Sequence, residues 1–208
     1  MDIALLTVKD ERLHVLLVRR ANEPEKGRWA LPGGVLDPAV DCSLDDTVRR
    51  VLRSKTHVDI RYTEQVQVFS GQDRDPRGWS LSVVYYALLP GDKVSAVAGD
   101  KAEAIEWMDA MELNRQLAFD HTLLLEAAVA KLRDKVEREA LPLHLLPGRF
   151  TLTELQRTCE VVLGRPLDKS AFRRRIKEEP ALVEIEGEFL RGPQRPAQLY
   201  TTAEDFQF

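Results

Sequence analysis

The chain has 208 residues, of which 44% are hydrophobic, and this is enough for two modest folded domains. Its formal net charge of −4 excludes a chain-wide basic surface, so any surface that binds nucleic acid must be local. Cys42 and Cys159 form no CxxC pattern, and no apolar run reaches the roughly 18 residues of a membrane span. We therefore expect a soluble cytoplasmic protein without a disulfide framework, a zinc site or a membrane contact.

The chain is predicted to alternate strands, turns and helices up to about residue 138. Residues 3–8 and 14–20 are β-favouring runs around a polar hairpin turn, and residues 66–69 and 79–89 are two further strands. Ser43 precedes an amphipathic helix with Leu44, Val48, Val51 and Leu52 on one face. Residues 113–139 are predicted to be helical, with room for a break. The fold class is α/β (α+β), a mixed sheet flanked by helices.

Two segments around this first helix resemble a known sequence box. WALPGG at residues 29–34 opens it, after LLVRR, and LRSKTHVDI at residues 52–60 closes it. Taken alone, WALPGG is also compatible with a simple turn whose glycines flank strands. Together the segments resemble the Nudix fold over residues 1–138.

The chemical part of that box is missing from this sequence. A Nudix hydrolase places three glutamates on one helix face, where they bind the divalent metal that activates water. Two alignments place these residues at the three positions: Val51, Ser54 and Lys55, or Arg49, Leu52 and Arg53. The nearby acids are Asp37, Asp41, Asp45, Asp46 and Asp59, and they rebuild no such cluster. We expect no catalytic residue, metal or cofactor. The alternative is an ADP-ribose pyrophosphatase with a rearranged metal site.

A second segment resembles one particular family of proteins with a Nudix fold. RDPRGWSLSVVYYALL at residues 74–89 is similar to the corresponding loop of the NrtR family of Nudix-related transcriptional regulators and of their enzyme relatives. That resemblance implies a C-terminal winged-helix domain and an effector such as ADP-ribose or a related NAD-derived nucleotide. It also implies control of genes of NAD metabolism, with sugar pathways, which some relatives regulate, as the alternative. The expected domains are residues 1–138, which sense the ligand, and residues 139–208, which bind DNA.

The C-terminal residues predict a helix-turn-helix independently of the resemblance. Thr151 and Glu154 have the spacing of a capping box, and Gly164 stands where a left-handed cap ends the helix. Asp168 is a good N-cap for a second helix, on which Phe172 and Ile176 face the core. The wing is predicted as a hairpin, with VEI and FLR as strands around EGE and YTT as a distal strand.

Basic residues on the second helix are the candidate DNA contacts, because a recognition helix needs cations for guanine edges and phosphates. The candidates on the helix and wing are Lys169, Ser170, Arg173, Arg174, Arg175, Lys177 and Arg191. Arg195 is a further candidate on the wing. The competing interpretation is a solvated basic face without a partner.

Arginines in the first domain are the candidate ligand contacts, because guanidinium groups pair with pyrophosphate without a metal. The candidates are Arg19, Arg20, Trp29, Arg74, Asp75 and Arg77. As alternatives, Trp29 belongs to the core and Asp75 with Arg77 locks its own loop. The histidines at positions 14, 57, 121 and 144 lack ligand spacing, which favours surface or helix-end roles.

The resulting hypothesis is a repressor that binds a double-stranded DNA operator as a homodimer and responds to an ADP-ribose-like nucleotide. The dimer is inferred from DNA geometry, because one recognition helix contacts few base pairs. A third hypothesis is a binding module whose C-terminal domain engages a protein instead of DNA.

Overall fold

The computed structural model describes residues 1–57, 60, 62–93, 102–113, 115–139, 141–177, 179–191, 196–204 and 206. Its elements in chain order are β1 Asp2–Lys9, β2 Arg12–Arg20, β3 Trp29–Ala30, α1 Leu44–Thr56, β4 Tyr62–Gly71, β5 Ser80–Leu88, β6 Ala102–Asp109, α2 His121–Arg138, β7 Phe150–Thr151, α3 Leu152–Leu163, α4 Lys169–Ile176, β8 Leu182–Leu190 and β9 Ala197–Thr202. Short 3₁₀ turns occur at Gly91–Lys93 and Leu143–Leu145.

The first sheet is mixed, as predicted. Its strands run in the order β3-β2-β1-β5-β4, and β6 also pairs with β2. β1 and β5 are parallel, whereas the other pairs are antiparallel. The sequence did not predict β3 or β6, because each lies in a segment without a clear alternation of apolar and polar residues.

Both faces of the central strands β1, β2 and β5 are buried, which explains why their sequences are nearly continuous hydrophobic runs. On β1, Ile3 and Leu5 face α1, while Ala4 and Leu6 face α2. The α2 side belongs to a core that continues into α3 and α4, where Cys159 and other apolar side chains join it. The two sequence domains therefore share one continuous apolar core.

The helix predicted over residues 113–139 begins later than expected. Phe119 has a φ of 54° and Asp120 is the N-cap, so α2 starts at His121. A positive φ at a bulky residue is incompatible with a continuing right-handed helix. The backbone turn before α2 is held by a hydrogen bond from Ala118 N to Trp29 O at 2.7 Å.

The helix-turn-helix prediction is confirmed. Thr151 and Glu154 form the reciprocal capping box, and Gly164 ends α3 with a φ of 68°. The side chain of Asp168 accepts from Ala171 N at 2.7 Å, which starts α4. Phe172 and Ile176 are buried in the shared core, as their spacing requires.

The wing was predicted wrongly in one respect. VEI, EGE and the first two residues of FLR lie in the single strand β8, which Arg191 follows directly. Gly187, with a φ of 74°, marks an irregularity in that strand instead of a hairpin turn. The register against β9 shifts between Glu184 and Phe189, and the amide of Gln198 donates to the carbonyls of Ile185 and Glu188 there. A bulge accommodates extra residues without ending a strand. The predicted YTT strand is confirmed as part of β9.

Within the described residues, none of the helices is long and apolar enough to cross a lipid bilayer.

Candidate nucleotide pocket and nucleic-acid interface

The WALPGG segment packs tightly between β1 and α1. A Cβ at Gly33 would lie 2.3 Å from Asp2 Oδ1, and a Cβ at Gly34 would lie 2.6 Å from Val51 Cγ2. Both positions therefore require glycine for close approach to their neighbours. Close packing therefore accounts for both glycines of the box. They have a structural role that does not depend on catalysis.

The helix α1 presents no carboxylate at the positions where a Nudix hydrolase carries glutamate. Val51 is buried against the sheet with Leu52, and the Ser54 hydroxyl donates to its own helix at Val51 O, 3.1 Å away. The side chain of Lys55 and the whole of Asp59 lie outside the described residues. Arg49 and Arg53, from the second alignment, are exposed on the same helix.

The remaining acids of this region have structural partners. Asp41 is almost buried and accepts from Arg50, with Nε–Oδ1 at 2.7 Å and Nη2–Oδ2 at 2.5 Å. Hydrogen bonds from Arg50 hold the pKa of Asp41 well below its usual range. Among the described residues, no group of three or more His, Cys, Asp or Glu side chains is arranged to hold a metal ion.

Three of the predicted ligand residues form one cluster. The guanidinium of Arg20 lies 4.7 Å from the ring centroid of Phe119, and burial together with the charge of Arg77 lowers the pKa of Arg20. Asp75 binds Arg77 with Nη2–Oδ2 at 2.5 Å, so this pair does lock its own loop. The cluster combines guanidinium groups and an aromatic ring, which is a chemistry suited to a nucleotide diphosphate.

Arg74 lies in the same region and binds Asp120, a residue that was not among the sequence-based candidates. Its Nε and Nη2 bind the two carboxylate oxygens of Asp120 at 2.6 and 3.0 Å, and both side chains are mostly buried. Beside them, His121 Nδ1 accepts from Leu31 N at 2.9 Å. The residues missed here, Phe119, Asp120 and His121, lie in the stretch predicted to be helical, which gave no signal for the position of its break.

The other two predicted ligand residues also have structural roles. Arg19 Nε donates to Gly27 O at 2.9 Å, which holds the loop between β2 and β3. Trp29 is half-buried against the principal core, and its carbonyl accepts from Ala118 N.

Two of the four histidines, His57 and His121, lie at helix ends as expected, whereas His14 in β2 and His144 are half-buried. His57 caps α1 with a φ of 55°, the left-handed conformation that a glycine of the Nudix box would adopt. His121 is the first residue of α2 but is buried, and burial lowers its pKa. His144 stacks on Tyr62 with ring centroids 4.9 Å apart.

Most candidate DNA contacts on α4 face outward, whereas Arg175 also contacts α2. Lys169, Ser170, Arg174 and Lys177 are exposed, and Arg173 is half-buried. Arg175 is exposed at the surface, yet its Nη2 donates to Val136 O of α2 at 2.9 Å. On the wing, Arg191 is exposed at the end of β8, and Arg195 lies outside the described residues.

Comparisons with known proteins agree with both halves of this description. The NUDIX domain model matches residues 2–128, and the NrtR DNA-binding winged helix domain model matches residues 142–202. The ADPR responsive transcriptional repressor NtrR of Acinetobacter baylyi is 42% identical over all of this chain and 83% of that protein. The chain belongs to the NrtR family.

Solved structures of NrtR proteins share the whole architecture. The Shewanella oneidensis NrtR in complex with a 27mer DNA superposes with a TM-score of 0.85 at 38% identity, covering 97% of this chain and 92% of that one. The NUDIX domain of the same NrtR in complex with ADP ribose has a TM-score of 0.58 at 41% identity, covering 63% of this chain and 85% of that one. The predicted family and fold class are therefore confirmed, with a Nudix domain followed by a winged helix.

Proposed function

We propose that the protein is a transcriptional repressor that binds operator DNA through α4 and responds to ADP-ribose bound by its Nudix domain. The observation that carries this proposal is the exposed basic face of α4 in a winged-helix domain, opposite the buried Phe172 and Ile176. A helix of this kind lies in the major groove and supplies cations to base edges and phosphates. The full-length similarity to an ADPR responsive repressor supports the same conclusion.

The proposed effector site is the cluster around Arg20, Arg74 and Arg77, extended by Arg19, Trp29 and Asp75. Guanidinium groups pair with the two phosphates of ADP-ribose without a metal, because each presents several donors in a fixed plane. The similarity to a NUDIX domain solved with ADP ribose supports this choice of ligand. We therefore propose that residues 1–138 sense the ligand and that residues 139–208 bind DNA.

The Nudix domain is proposed to bind its ligand without hydrolysing it. Val51 and Ser54 occupy the helix positions at which carboxylates would hold the catalytic metal, and neither can ligate a hard cation well. The Nudix family model favours the alternative, an ADP-ribose pyrophosphatase with a rearranged site. Incubation with ADP-ribose and Mg²⁺ or Mn²⁺ is expected to yield no AMP, whereas turnover abolished by EDTA would establish the alternative.

The protein is proposed to bind DNA as a homodimer, since paired recognition helices read two half-sites. A gel shift on the DNA upstream of the chain's own gene tests the binding surface. The double variant Arg173→Ala with Arg174→Ala is expected to lose the shift, while Arg49→Ala with Arg115→Ala removes the same charge elsewhere and is expected to keep it. Wild-type protein that shifts no promoter DNA would instead favour a protein partner for the C-terminal domain.

A further inference from the structure

The helix α2 begins at the proposed nucleotide pocket. Its N-cap, Asp120, binds Arg74 through both carboxylate oxygens, and its first residue, His121, accepts from Leu31 N in the WALPGG segment. Arg28 Nη2 also donates to Leu117 O at 3.0 Å, just before the helix. The start of α2 is therefore held by Arg74 of the proposed effector site and by the chain segment around WALPGG.

The other end of α2 binds the helix-turn-helix directly. Arg175, on α4, donates through Nη2 to Val136 O at 2.9 Å, in the last turn of α2. Arg133, on α2, donates through Nε to Val162 O at 2.9 Å, in the last turn of α3. Each guanidinium satisfies a helix-terminal carbonyl and lies favourably at the negative end of a helix dipole.

The apolar core joins these three helices over the same region. Leu132 and Val136 of α2 pack in one cluster with Cys159 and Val162 of α3 and with Phe172 of α4. Burial raises the pKa of Cys159 to about 12, and the charge of Arg175 acts against that shift, which is consistent with a guanidinium lying close to α3. Close-packed interiors have low compressibility and transmit strain.

We propose that α2 transmits the effector signal to the recognition helix, and that Arg175 is the positioning residue that couples α4 to α2 instead of a DNA contact. This inference rests on the proposed function. An anionic diphosphate in the pocket competes with the carboxylate of Asp120 for the guanidinium of Arg74. Weakening of that ion pair releases the start of α2, and the displacement reaches Val136, about 24 Å along the helix.

The test separates positioning from DNA contact by comparing two neighbouring arginines. The measured quantity is the ratio of the operator Kd with saturating ADP-ribose to the Kd without it. Arg174→Ala is the matched control and is expected to weaken DNA binding about tenfold at an unchanged ratio. Arg175→Ala is expected to bring the ratio close to one, and Arg175→Lys, which keeps the charge and a donor, is expected to restore part of it. Calorimetry without DNA is expected to show the same ADP-ribose affinity in all of them.

An Arg175→Ala variant that keeps the wild-type ratio while losing DNA affinity would overturn the inference, because Arg175 would then be a DNA contact. A wild-type ratio of one, or no ADP-ribose binding by the wild type, would instead overturn the proposed function itself. The two failures are therefore distinguishable.

Hydrogen exchange without DNA provides a second measurement that does not depend on operator binding. In the wild type, ADP-ribose is expected to change the exchange of amides at the end of α2 and throughout α4. In Arg175→Ala, ADP-ribose is expected to change the exchange of amides at the end of α2 but not of those in α4. Unchanged exchange in α4 of the wild type, or the same change in α4 of both proteins, would contradict the coupling through Arg175.

Discussion

Arg74 and Asp120 form a bidentate ion pair between the loop after β4 and the N-cap of α2, with distances of 2.6 and 3.0 Å. Both side chains are more than four-fifths buried, so the pair is far less screened than an ion pair at the surface. It is the point at which the proposed pocket meets the helix that leads to the DNA-binding domain.

Replacement of the acid in this pair should have two opposite effects. Asp120→Asn is expected to destabilise the fold by about 2 kcal/mol, because it leaves a mostly buried guanidinium without its counter-charge. It should also strengthen ADP-ribose binding several-fold, since no carboxylate then competes for Arg74. Urea unfolding and calorimetry measure the two effects. Asp134→Asn, in an exposed ion pair with Arg138, is the control and should change neither.

The loss of Arg74 itself should affect the ligand in the other direction. Arg74→Ala removes a charge-assisted contact to the diphosphate and is expected to weaken ADP-ribose binding at least about tenfold. The measurement is calorimetric titration in the absence of DNA. Retention of the wild-type affinity would remove Arg74 from the proposed site.

Gly164 is required by both its backbone and its neighbour. Its φ of 68° is unfavourable for other residues, and a Cβ there would lie 3.0 Å from Nη2 of Arg133. Gly164→Ala is expected to lower the free energy of unfolding by about 1–2 kcal/mol. Gly148→Ala is the control, because a Cβ at Gly148 meets no atom within 4 Å, and it should stay within about 0.5 kcal/mol of the wild type.

The two cysteines should differ sharply in reactivity. Cys42 is exposed, whereas Cys159 is buried in α3 and burial raises its pKa to about 12. Titration of the native protein with a thiol reagent at pH 8 is expected to modify one thiol per chain, and denaturation should expose the second. Rapid reaction of both thiols in the native protein would contradict the packing of α3 against α2.

Glu64 should contribute a pH-dependent part of the stability. Burial alone would raise its pKa, but hydrogen bonds from Lys135, Tyr62 and Tyr86 outweigh burial and lower the pKa to about 2. The stabilisation is therefore complete above the ordinary value of 4.5 and is lost as the pH falls towards 2.

The matching experiment compares Glu64→Gln with the wild type by urea unfolding. At pH 7 the variant is expected to be less stable by about 2 kcal/mol, and the difference should shrink between pH 4.5 and pH 2. Glu112→Gln, whose exposed carboxylate pairs with Arg12, should show little difference at either pH. A difference for Glu64→Gln that is independent of pH would contradict the depressed pKa.

The sequence predicted the elements whose signals are local. Ser43, Thr151 and Asp168 each begin a helix at the predicted residue, because a cap acts on amides two or three positions away. The buried positions of α4 also follow from helical spacing. The bulge at Gly187 depends on pairing with β9, and α2 begins without a side-chain cap, so neither the bulge nor the start of α2 follows from a local signal.

Only part of the candidate site could be predicted from the sequence, again because some of its contacts are not local. The arginines are candidates because guanidinium groups pair with phosphates, but the residues that they contact in the fold lie far away in the sequence. Arg74 reaches Asp120 and Arg175 reaches Val136, and no spacing rule connects such pairs. Helical spacing places Arg175 on the flank of the basic face of α4, and its contact with Val136 of α2 follows only from the folded structure.

The most direct test of the central claim is a titration of fluorescent operator DNA with the full-length protein, followed by anisotropy with and without ADP-ribose at fixed salt. The proposed function predicts specific binding with a Kd in the range of about 10⁻⁸ M and a weakening of at least about tenfold by ADP-ribose. Binding that ADP-ribose leaves unchanged, or no binding to the DNA at all, would contradict it.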